Sequence, residues 1–531
     1  MSPIDMLGIM LPTISVIAFS LPLIDLLVKK TRVLEALALA GSLFATVASI
    51  LVFYEVKKAG EPVLYTYGGF LPHFGIVYEV DSFNALIGLF IAIGMLVIVV
   101  YSIWYRHHLD EPVWYYVLLL GLEIGMLGAV YTGDAFNLFV MLEVMSISAY
   151  GLVAYHKNSP EAVEAASKYA LIGAVASTMY FTAVVILYAV YGSVNMGILS
   201  YMASMPATVI PVIPEGVRYA TLFAVSMALW VFTFKSALFP SHFWLPDAHP
   251  EAPTPVSAAL SGLLVNVGVY ASARFLYTIF GPGGMLGEYS AVVFAALFTL
   301  GAISGVVAAL MMMIQKDIKR LLAYSTVSHV GLIYMGISAG FLNNSLAIEY
   351  AITGAVLHIL AHGLSKIALF FASGVYIDAS ATRNLDRMRG VGRAFPATSF
   401  AFTISFLNLA GLLPFLGFYS KFLITLGFIE GGFPVAALLV IIISALSIPG
   451  YLRAIYGVVF ATGSVEGEVT KRWVEYLVLA VALSTLILGV VLSTFGNLLD
   501  IQSIASDLLN RDVYASTVLK KIMTMLRGWI R

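Results

Sequence analysis

Five lysine and arginine side chains stand inside the long apolar runs of this 531-residue sequence, and two glutamates lie at comparable depth. A charged group costs about 2.5–3.5 kcal/mol at the centre of a membrane helix, so it is typical of an ion or proton pathway. Two of the lysines lie beside helix-breaking prolines, because Pro240 follows Lys235 and Pro414 precedes Lys421. Irregular backbone at membrane depth is tolerated where it lines a hydrated cavity, so we expect both lysines to face internal water. The five cations are Lys235, Arg274, Lys366, Lys421 and Arg453, and the two glutamates are Glu123 and Glu143.

Two of these cations have an alternative explanation. Arg274 and Arg453 could reach the membrane interface or brace a loop, because a long cationic side chain can snorkel. Snorkelling suits the three lysines less well, since apolar helix or a helix break flanks each of them.

His358, His362 and Lys366 recur every fourth residue, which places them on one face of a helix with a rise of about 6 Å per step. One or two waters can bridge such a step, and histidine titrates near neutral pH, so the spacing is suited to a proton relay. The rival interpretation is a metal pair, because His-x-x-x-His can bind zinc. No metalloprotease glutamate stands between the two histidines, and we expect no metal here.

Composition indicates a polytopic membrane protein. The chain is 60% hydrophobic and 11% charged, and its mean hydropathy is +0.95. It contains no cysteine, which excludes iron–sulfur ligation and thiolate metal sites in this chain. We therefore expect no cofactor, and any redox chemistry would belong to a partner. The absence of cysteine and the presence of only two glutamines also fit a thermophile.

The apolar runs predict an all-α fold of about fourteen transmembrane helices. Connecting loops are short, so no sizeable soluble domain fits between the spans. The predicted spans are 6–28, 34–56, 82–104, 113–131, 134–155, 165–191, 219–245, 254–280, 289–313, 320–341, 347–377, 397–428, 433–461 and 473–496.

Lysine and arginine are distributed unevenly between the loops, which predicts the orientation. Fifteen follow odd-numbered spans and three follow even-numbered spans, so we expect the odd-to-even loops in the cytoplasm and both termini outside. The fifteen are Lys29, Lys30, Arg32, Arg106, Lys157, Lys168, Lys316, Lys319, Arg320, Arg383, Arg387, Arg389, Arg393, Lys471 and Arg472, against Lys57, Lys58 and Arg218.

The basic C-terminal tail does not fit this distribution. Its apolar residues share one helical face, so we expect an amphipathic helix lying on the membrane or on a partner. These residues are Val518, Leu519, Ile522, Met523, Leu526 and Ile530.

Short sequence matches suggest an internal repeat. SKYAL at 167–171 resembles SKIAL at 365–369, and GDAFNLF before the fifth span has a counterpart in KDIKRLL before the tenth. Two copies of five helices each must be inverted relative to one another, which is an ion-transporter design. We divide the chain into helices 1–3 (1–110), a first repeat of helices 4–8 (111–280), a second repeat of helices 9–13 (281–465), and helix 14 with the tail (466–531).

Several stretches resemble the antiporter-like subunits shared by complex I, Mrp-type sodium/proton antiporters and membrane-bound hydrogenases, with the Mrp D-type chain as the nearest kind. The resemblance covers about residues 80–460 and implies fourteen helices, two inverted repeats with broken helices 7 and 12, and proton movement through a hydrated central axis. It rests on FNLFVMLEVMSISAYGLVAY, FKSALFPSHFWLPDAHPEAPTPVSAALSG, IQKDIKRLLAYSTVSHVGLI, HILAHGLSKIALFFASG and LAGLLPFLGFYSKFLI.

The resemblance implies roles for individual residues. Glu143 matches the family's fifth-helix glutamate, Lys235 its partner lysine, and Lys421 the exit residue of helix 12. The central relay is matched by His329, His358, His362 and Lys366, with Glu123, Asp247, His249 and Asn266 as auxiliary candidates. Asn266 departs from the family, which usually has lysine there, and an amide can only orient water.

These observations predict a subunit that moves protons, or sodium and protons, and is coupled to a redox or antiporter partner. The alternative is a structural membrane subunit with an incomplete proton path. A transporter of organic solutes fits less well, because the polar residues form a row and not a substrate-sized cluster. We expect the plasma membrane as the location, other membrane subunits as partners, and no nucleic acid.

Overall fold

The computed structural model describes residues 3–204, 215–463, 471–494 and 501–530. Almost all of this part of the chain is helical. The helices are α1 Asp5–Val28, α2 Thr31–Ala59, α3 Ser82–Tyr105, α4 Pro112–Tyr131, α5 Ala135–Val153, α6 Pro160–Tyr191, α7 Met196–Ser204, α8 Glu215–Lys235, α9 Trp244–Glu251, α10 Thr254–Ile279, α11 Tyr289–Met313, α12 Ile318–Ile337, α13 Ser345–Ser380, α14 Pro396–Ala410, α15 Leu416–Glu430, α16 Pro434–Ile455, α17 Arg472–Thr494, α18 Ile501–Leu509 and α19 Arg511–Ile530.

A small antiparallel hairpin is the only sheet in the described residues. Strand β1 (Val63–Thr66) pairs with β2 (Val77–Val80), with Val63 opposite Val80. It joins α2 to α3, and β2 leads directly into Asp81, whose side chain caps α3.

Thirteen helices of the described chain are long and apolar enough to cross a membrane. The twelfth predicted span, 397–428, is not one of the thirteen, because it is divided into α14 and α15, which have 15 residues each. The predicted all-α polytopic fold is confirmed. So are both helix breaks, which lie between α8 and α9 and between α14 and α15. The predicted domain boundary at 465/466 and the last two residues of the span 473–496 lie outside the described residues.

The motif pair GDAFNLF and KDIKRLL occupies equivalent places in the two halves. Asp134 caps α5, and Asp317 caps α12. Each capping residue also forms an isolated β-bridge with an asparagine that follows the next helix, Asn195 in one case and Asn384 in the other. The same local device therefore begins the second helix of each predicted repeat.

Helices α10, α12 and α13 form the centre of the molecule. The most apolar windows of these helices are 89–100% buried, whereas the corresponding window of α17 is 28% buried. Close approach between α10 and α13 depends on glycine, since a Cβ on Gly262 would lie 2.9 Å from the Gly363 carbonyl. The central helices carry Asn266 and the relay candidates His329, His358, His362 and Lys366, which therefore lie in the most buried part of the protein. Together with Glu143, Lys235 and Lys421 we call these residues the buried row.

Arg274 braces the segment between β2 and α3 and does not snorkel. Its guanidinium is 1% exposed and donates to both carboxylate oxygens of Asp81, at 2.6 and 3.0 Å. The Tyr514 ring of the C-terminal tail lies 4.9 Å from the guanidinium. Glu79 is buried nearby, and burial raises its pKa well above the usual value, although the Arg274 charge opposes this.

Replacing Arg274 by alanine is expected to destabilise the protein by about 3–5 kcal/mol, because it leaves the Asp81 carboxylate buried without its partner. Thermal unfolding of the purified protein in detergent measures the effect. Arg453→Ala is the matched control, since Arg453 is 37% exposed and donates to the Met313 carbonyl. Similar small shifts in both variants would contradict the bracing role.

The C-terminal helix packs on this chain over part of its length. Val518 is buried and faces Gly197, where an added Cβ would lie 2.6 Å from the valine side chain. Lys520 forms an ion pair with Glu61 at 3.1 Å, whereas Met523 is 53% exposed. The predicted apolar face therefore packs on the rest of this chain at Val518 and is exposed at Met523. The Ile530 side chain lies outside the described residues.

Candidate functional site

Glu143 and Lys235 come close through two serines. Lys235 is the last residue of α8, is fully buried, and donates to the Ser146 hydroxyl at 2.5 Å. Ser146 lies three residues after Glu143 on α5, so both face the same side of that helix. Glu143 itself accepts a hydrogen bond from Ser177. The two charged groups are not within ion-pair distance. Glu143 and Lys235, predicted as a pair, are therefore neighbours that do not contact each other directly.

The break after Lys235 is stabilised by side chains that replace helical hydrogen bonds. Trp244 donates from its indole nitrogen to the Phe234 carbonyl at 3.0 Å. Its ring stacks on Tyr169 with 3.9 Å between centroids. Ala237, inside the break, adopts a left-handed conformation with φ 56°. The lysine therefore sits at the end of a helix whose position is fixed by packing.

A hydroxyl chain leads from this break to the central helices. Ser236 lies 3.0 Å from the Tyr334 hydroxyl, and Tyr334 lies 2.8 Å from Ser272. All three side chains are buried. The chain connects the residue next to Lys235 with α12 and α10.

Two histidines form the middle of a second hydrogen-bonded chain. His329 Nδ1 lies 2.9 Å from His358 Nε2, which joins α12 to α13. His329 Nε2 lies 2.7 Å from the Tyr451 hydroxyl, and His358 Nδ1 lies 2.8 Å from the Ser420 hydroxyl. Four buried residues on four helices are thereby connected without a gap, and both nitrogens of each imidazole are used.

His362 and Lys366 continue the same face of α13, as the spacing predicted. The His362 ring stacks against His329 at 5.7 Å, and neither of its nitrogens has a hydrogen-bond partner among the described residues. Lys366 is fully buried and donates to the Leu322 carbonyl at 3.0 Å. A buried imidazole without partners is expected to contact water.

Lys421 lies after the break in the second half, whereas Lys235 lies before the break in the first. It donates to the Leu409 carbonyl at 2.6 Å and lines a cavity of about 290 Å³. Asn408 holds this break together, donating to Ser365 at 2.7 Å and accepting from the Gly417 amide at 2.7 Å.

The auxiliary candidates lie in different surroundings. Glu123 is buried on α4 and accepts a hydrogen bond from Ser42. Asp247 is partly exposed and forms ion pairs with Lys168 and Arg320, both at 3.3 Å, so it belongs to a surface network and not to the buried row.

The other two auxiliary candidates are buried and incompletely hydrogen-bonded. His249 has no partner for either ring nitrogen within the described chain, and its ring lies 4.8 Å from that of Phe370. Asn266 donates to the Gly262 carbonyl at 2.7 Å, while its side-chain oxygen has no partner in the same set of residues. That oxygen is free to orient water.

Several residues of the site were not predicted. Lys319 was assigned to a cytoplasmic loop, but it is buried in α12 and donates to the Ala252 carbonyl at 2.8 Å. Ser146, Ser420 and Tyr451 contact the predicted residues directly. Helical spacing could have indicated Ser146, which lies three residues after Glu143 on one face of α5.

Comparison with known proteins matches residues 132–447 to the family described as "NADH:quinone oxidoreductase/Mrp antiporter, TM". This chain belongs to that family. The matched residues include every predicted translocation residue from Glu143 to Lys421. As a family member, the chain is similar to known proteins over most of its length.

Two relatives and one solved structure illustrate the similarity. The chain is 33% identical to NADH-quinone oxidoreductase subunit N of Desulforudis audaxviator, covering 78% of this chain and 79% of the relative. It is 32% identical to a Na(+)/H(+) antiporter subunit of Alkalihalophilus pseudofirmus, covering 76% and 77%. A chain of the archaeal membrane-bound sulfane sulfur reductase complex superimposes with a TM-score of 0.86 at 27% identity, covering 97% of this chain and 100% of that one.

Proposed function

We propose that this chain moves protons across a membrane as an antiporter-like subunit of a multi-subunit complex. The observation that carries the proposal is the buried chain from Tyr451 through His329 and His358 to Ser420. An imidazole can accept a proton at one nitrogen and release one from the other. Both nitrogens of each histidine take part in this series of hydrogen bonds. Protons therefore have a continuous route from Tyr451 to Ser420.

Glu143 and Lys235 would control entry to this route. Attraction between the two charges depends on their separation in a medium of low dielectric constant. Ser146 holds the ammonium at 2.5 Å, and Ser177 holds the carboxylate. A movement of either helix would therefore change how readily Lys235 exchanges its proton. Lys421, beside its own cavity, would serve as the opposite end of the row.

Water is needed to carry protons between Lys235 and the hydrogen-bonded histidines. Within the described residues, no hydrogen bond joins Lys235 to a histidine. The Ser236–Tyr334–Ser272 hydroxyls lead from the break to the helices that carry His329 and Asn266. The free oxygen of Asn266 and the unpaired nitrogens of His362 offer sites for water.

Asn266→Ala is expected to reduce proton transport only slightly, because the amide does not exchange protons. Asn266→Lys places a second ammonium near Lys235 or Lys366, where like charges raise the free energy of protonation. We expect a measurable shift in the pH dependence of transport for that variant. Transport measured against pH in both variants tests this, and a large loss in the alanine variant would show that Asn266 is essential to the path.

The orientation proposed from the sequence places odd-to-even loops in the cytoplasm and both termini outside the plasma membrane. Removing the buried Lys319 from the count leaves fourteen loop cations against three, so the bias remains. One of the two relatives is named as a Na(+)/H(+) antiporter subunit, so sodium is the other candidate ion. The titratable row of lysines and histidines favours protons as the ion that this chain carries.

The partners are other membrane subunits. The solved relative is part of a respiratory membrane complex, and other relatives are subunits of NADH-quinone oxidoreductases and Na(+)/H(+) antiporters. This chain contains no cysteine, so we place any redox centre in a partner subunit. Purification of the assembly and identification of the neighbouring subunits would distinguish a redox partner from an antiporter partner.

The alternative is a structural subunit whose row no longer conducts. The test is proton uptake by the purified assembly in sealed proteoliposomes, measured with an internal pH-sensitive dye while the partner's reaction is driven. We expect uptake that a protonophore collapses and that depends on the buried row. An assembly that moves protons equally well with the row interrupted would favour the structural role.

A further inference from the structure

A cluster of two histidines and one aspartate lies away from the buried row. His107 and His108 end the turn that follows α3, and Asp378 lies near the end of α13. Asp378 Oδ1 is 3.2 Å from His107 Nε2 and 2.9 Å from His108 Nε2. The three ligand atoms lie within 4.8 Å of one another. All three side chains are partly exposed, so an ion in solution could reach them.

The hydrogen bond on the other side of the His107 ring determines which ring nitrogen faces Asp378 with a lone pair. His107 Nδ1 lies 2.8 Å from the Trp104 carbonyl oxygen. A carbonyl oxygen can only accept, so Nδ1 carries the hydrogen. In a neutral imidazole the Nε2 atom then has a lone pair, and this lone pair points at a carboxylate oxygen that also has only lone pairs. Such a contact requires a cation between the two atoms, either an extra proton or a metal ion.

The same arrangement is typical of metal-bound histidine, in which the second nitrogen donates to a backbone carbonyl and fixes the ring. The packing of the two helices keeps the three side chains close together. Tyr101 stacks on Phe371 at 3.9 Å, and its hydroxyl donates to the Phe371 carbonyl at 2.9 Å. This contact holds α3 against α13 about two helical turns before Asp378. The ligands therefore come from two elements whose relative position is already fixed.

We propose that His107, His108 and Asp378 bind a zinc ion. Two imidazole nitrogens and one carboxylate oxygen are donors that Zn²⁺ prefers, and three protein ligands leave one position for water. The ion would tie the end of α13, the helix that carries His358, His362 and Lys366, to the turn after α3. In the proposed orientation the site faces the cytoplasm. Zinc binding here does not depend on whether the buried row conducts protons.

The experiment uses the full-length chain, purified, treated with a chelator and titrated with Zn²⁺ in a calorimeter. We expect one zinc ion per chain, and X-ray absorption at the zinc edge should show two imidazoles and oxygen at about 2.0–2.2 Å. His108→Gln and Asp378→Asn should each weaken binding at least tenfold, which is about the loss seen for altered metal surroundings. Both changes preserve side-chain size at partly exposed positions, so the fold should be retained.

His73→Gln is the matched control, since His73 is exposed in the loop between β1 and β2. It should bind zinc like the unmodified chain. Equal affinity in the unmodified chain and in His108→Gln would overturn the proposal, as would an absence of specific binding in the unmodified chain. In that case a protonated His107 paired with Asp378 explains the contact.

Discussion

Replacing Lys235 by alanine is expected to lower proton transport by about 10²-fold or more, the range typical of a lost proton-transfer group. Lys235 is the fully buried cation at the first helix break, and Ser146 is its hydrogen-bond acceptor. Its removal leaves Glu143 without the neighbouring positive charge. Proton uptake by the assembly in proteoliposomes measures the loss, and size-exclusion chromatography confirms that the assembly forms.

Two further variants separate charge from proton exchange. Lys235→Arg keeps a positive charge but does not release its proton at accessible pH, so transport should also be lost. Lys157→Ala removes a lysine whose side chain is 67% exposed and should leave transport unchanged. Normal transport in Lys235→Arg would show that Lys235 supplies only a charge, and normal transport in Lys235→Ala would exclude it from the path.

Replacing His358 by glutamine should have a similarly large effect. Glutamine can still form hydrogen bonds with His329 and Ser420, but it does not titrate, so the chain would remain connected without being able to pass a proton. We expect transport to fall by about 10²-fold or more, with little change in thermal stability. Initial rates of proton uptake, measured with unfolding temperatures, test both parts of this prediction.

His73→Gln is the control for the histidine variants, because His73 lies in an exposed loop. His329→Gln should reproduce the loss, since His329 lies between Tyr451 and His358. Tyr451→Phe should give a smaller loss, because water can replace a hydroxyl at the end of the chain. A His358→Gln variant that transports at the normal rate would mean that protons bypass the histidines.

The fold and the buried charges were predictable from the sequence because the membrane makes their cost large. An uninterrupted apolar run has few alternatives to a spanning helix, and proline next to Lys235 or Lys421 indicates a break. The spacing of His358, His362 and Lys366 likewise fixes their common face once a helix is assumed. The cost of placing a charge or a helix break in a membrane therefore allows most residues of the buried row to be predicted from the sequence.

Other parts depended on tertiary contacts that the sequence does not contain. Serine and tyrosine are common in membrane helices, so the choice of Ser420 and Tyr451 as histidine partners follows only from the packing of α15 and α16 against the centre. Lys319 follows a capping aspartate and was assigned to a loop, yet α12 begins early enough to bury it. Asp247 was expected near the row, but its surface partners are distant in sequence.

The most direct measurement of the central claim is proton uptake by three assemblies that carry Lys235→Ala, His358→Gln, or both changes. If both residues lie on one continuous path, either change alone interrupts it, and the double variant is no more impaired than the worse single variant. If each single variant retains a substantial part of the normal rate and only the double variant loses transport, protons follow two independent routes. That result would contradict a single path from Lys235 to the histidines.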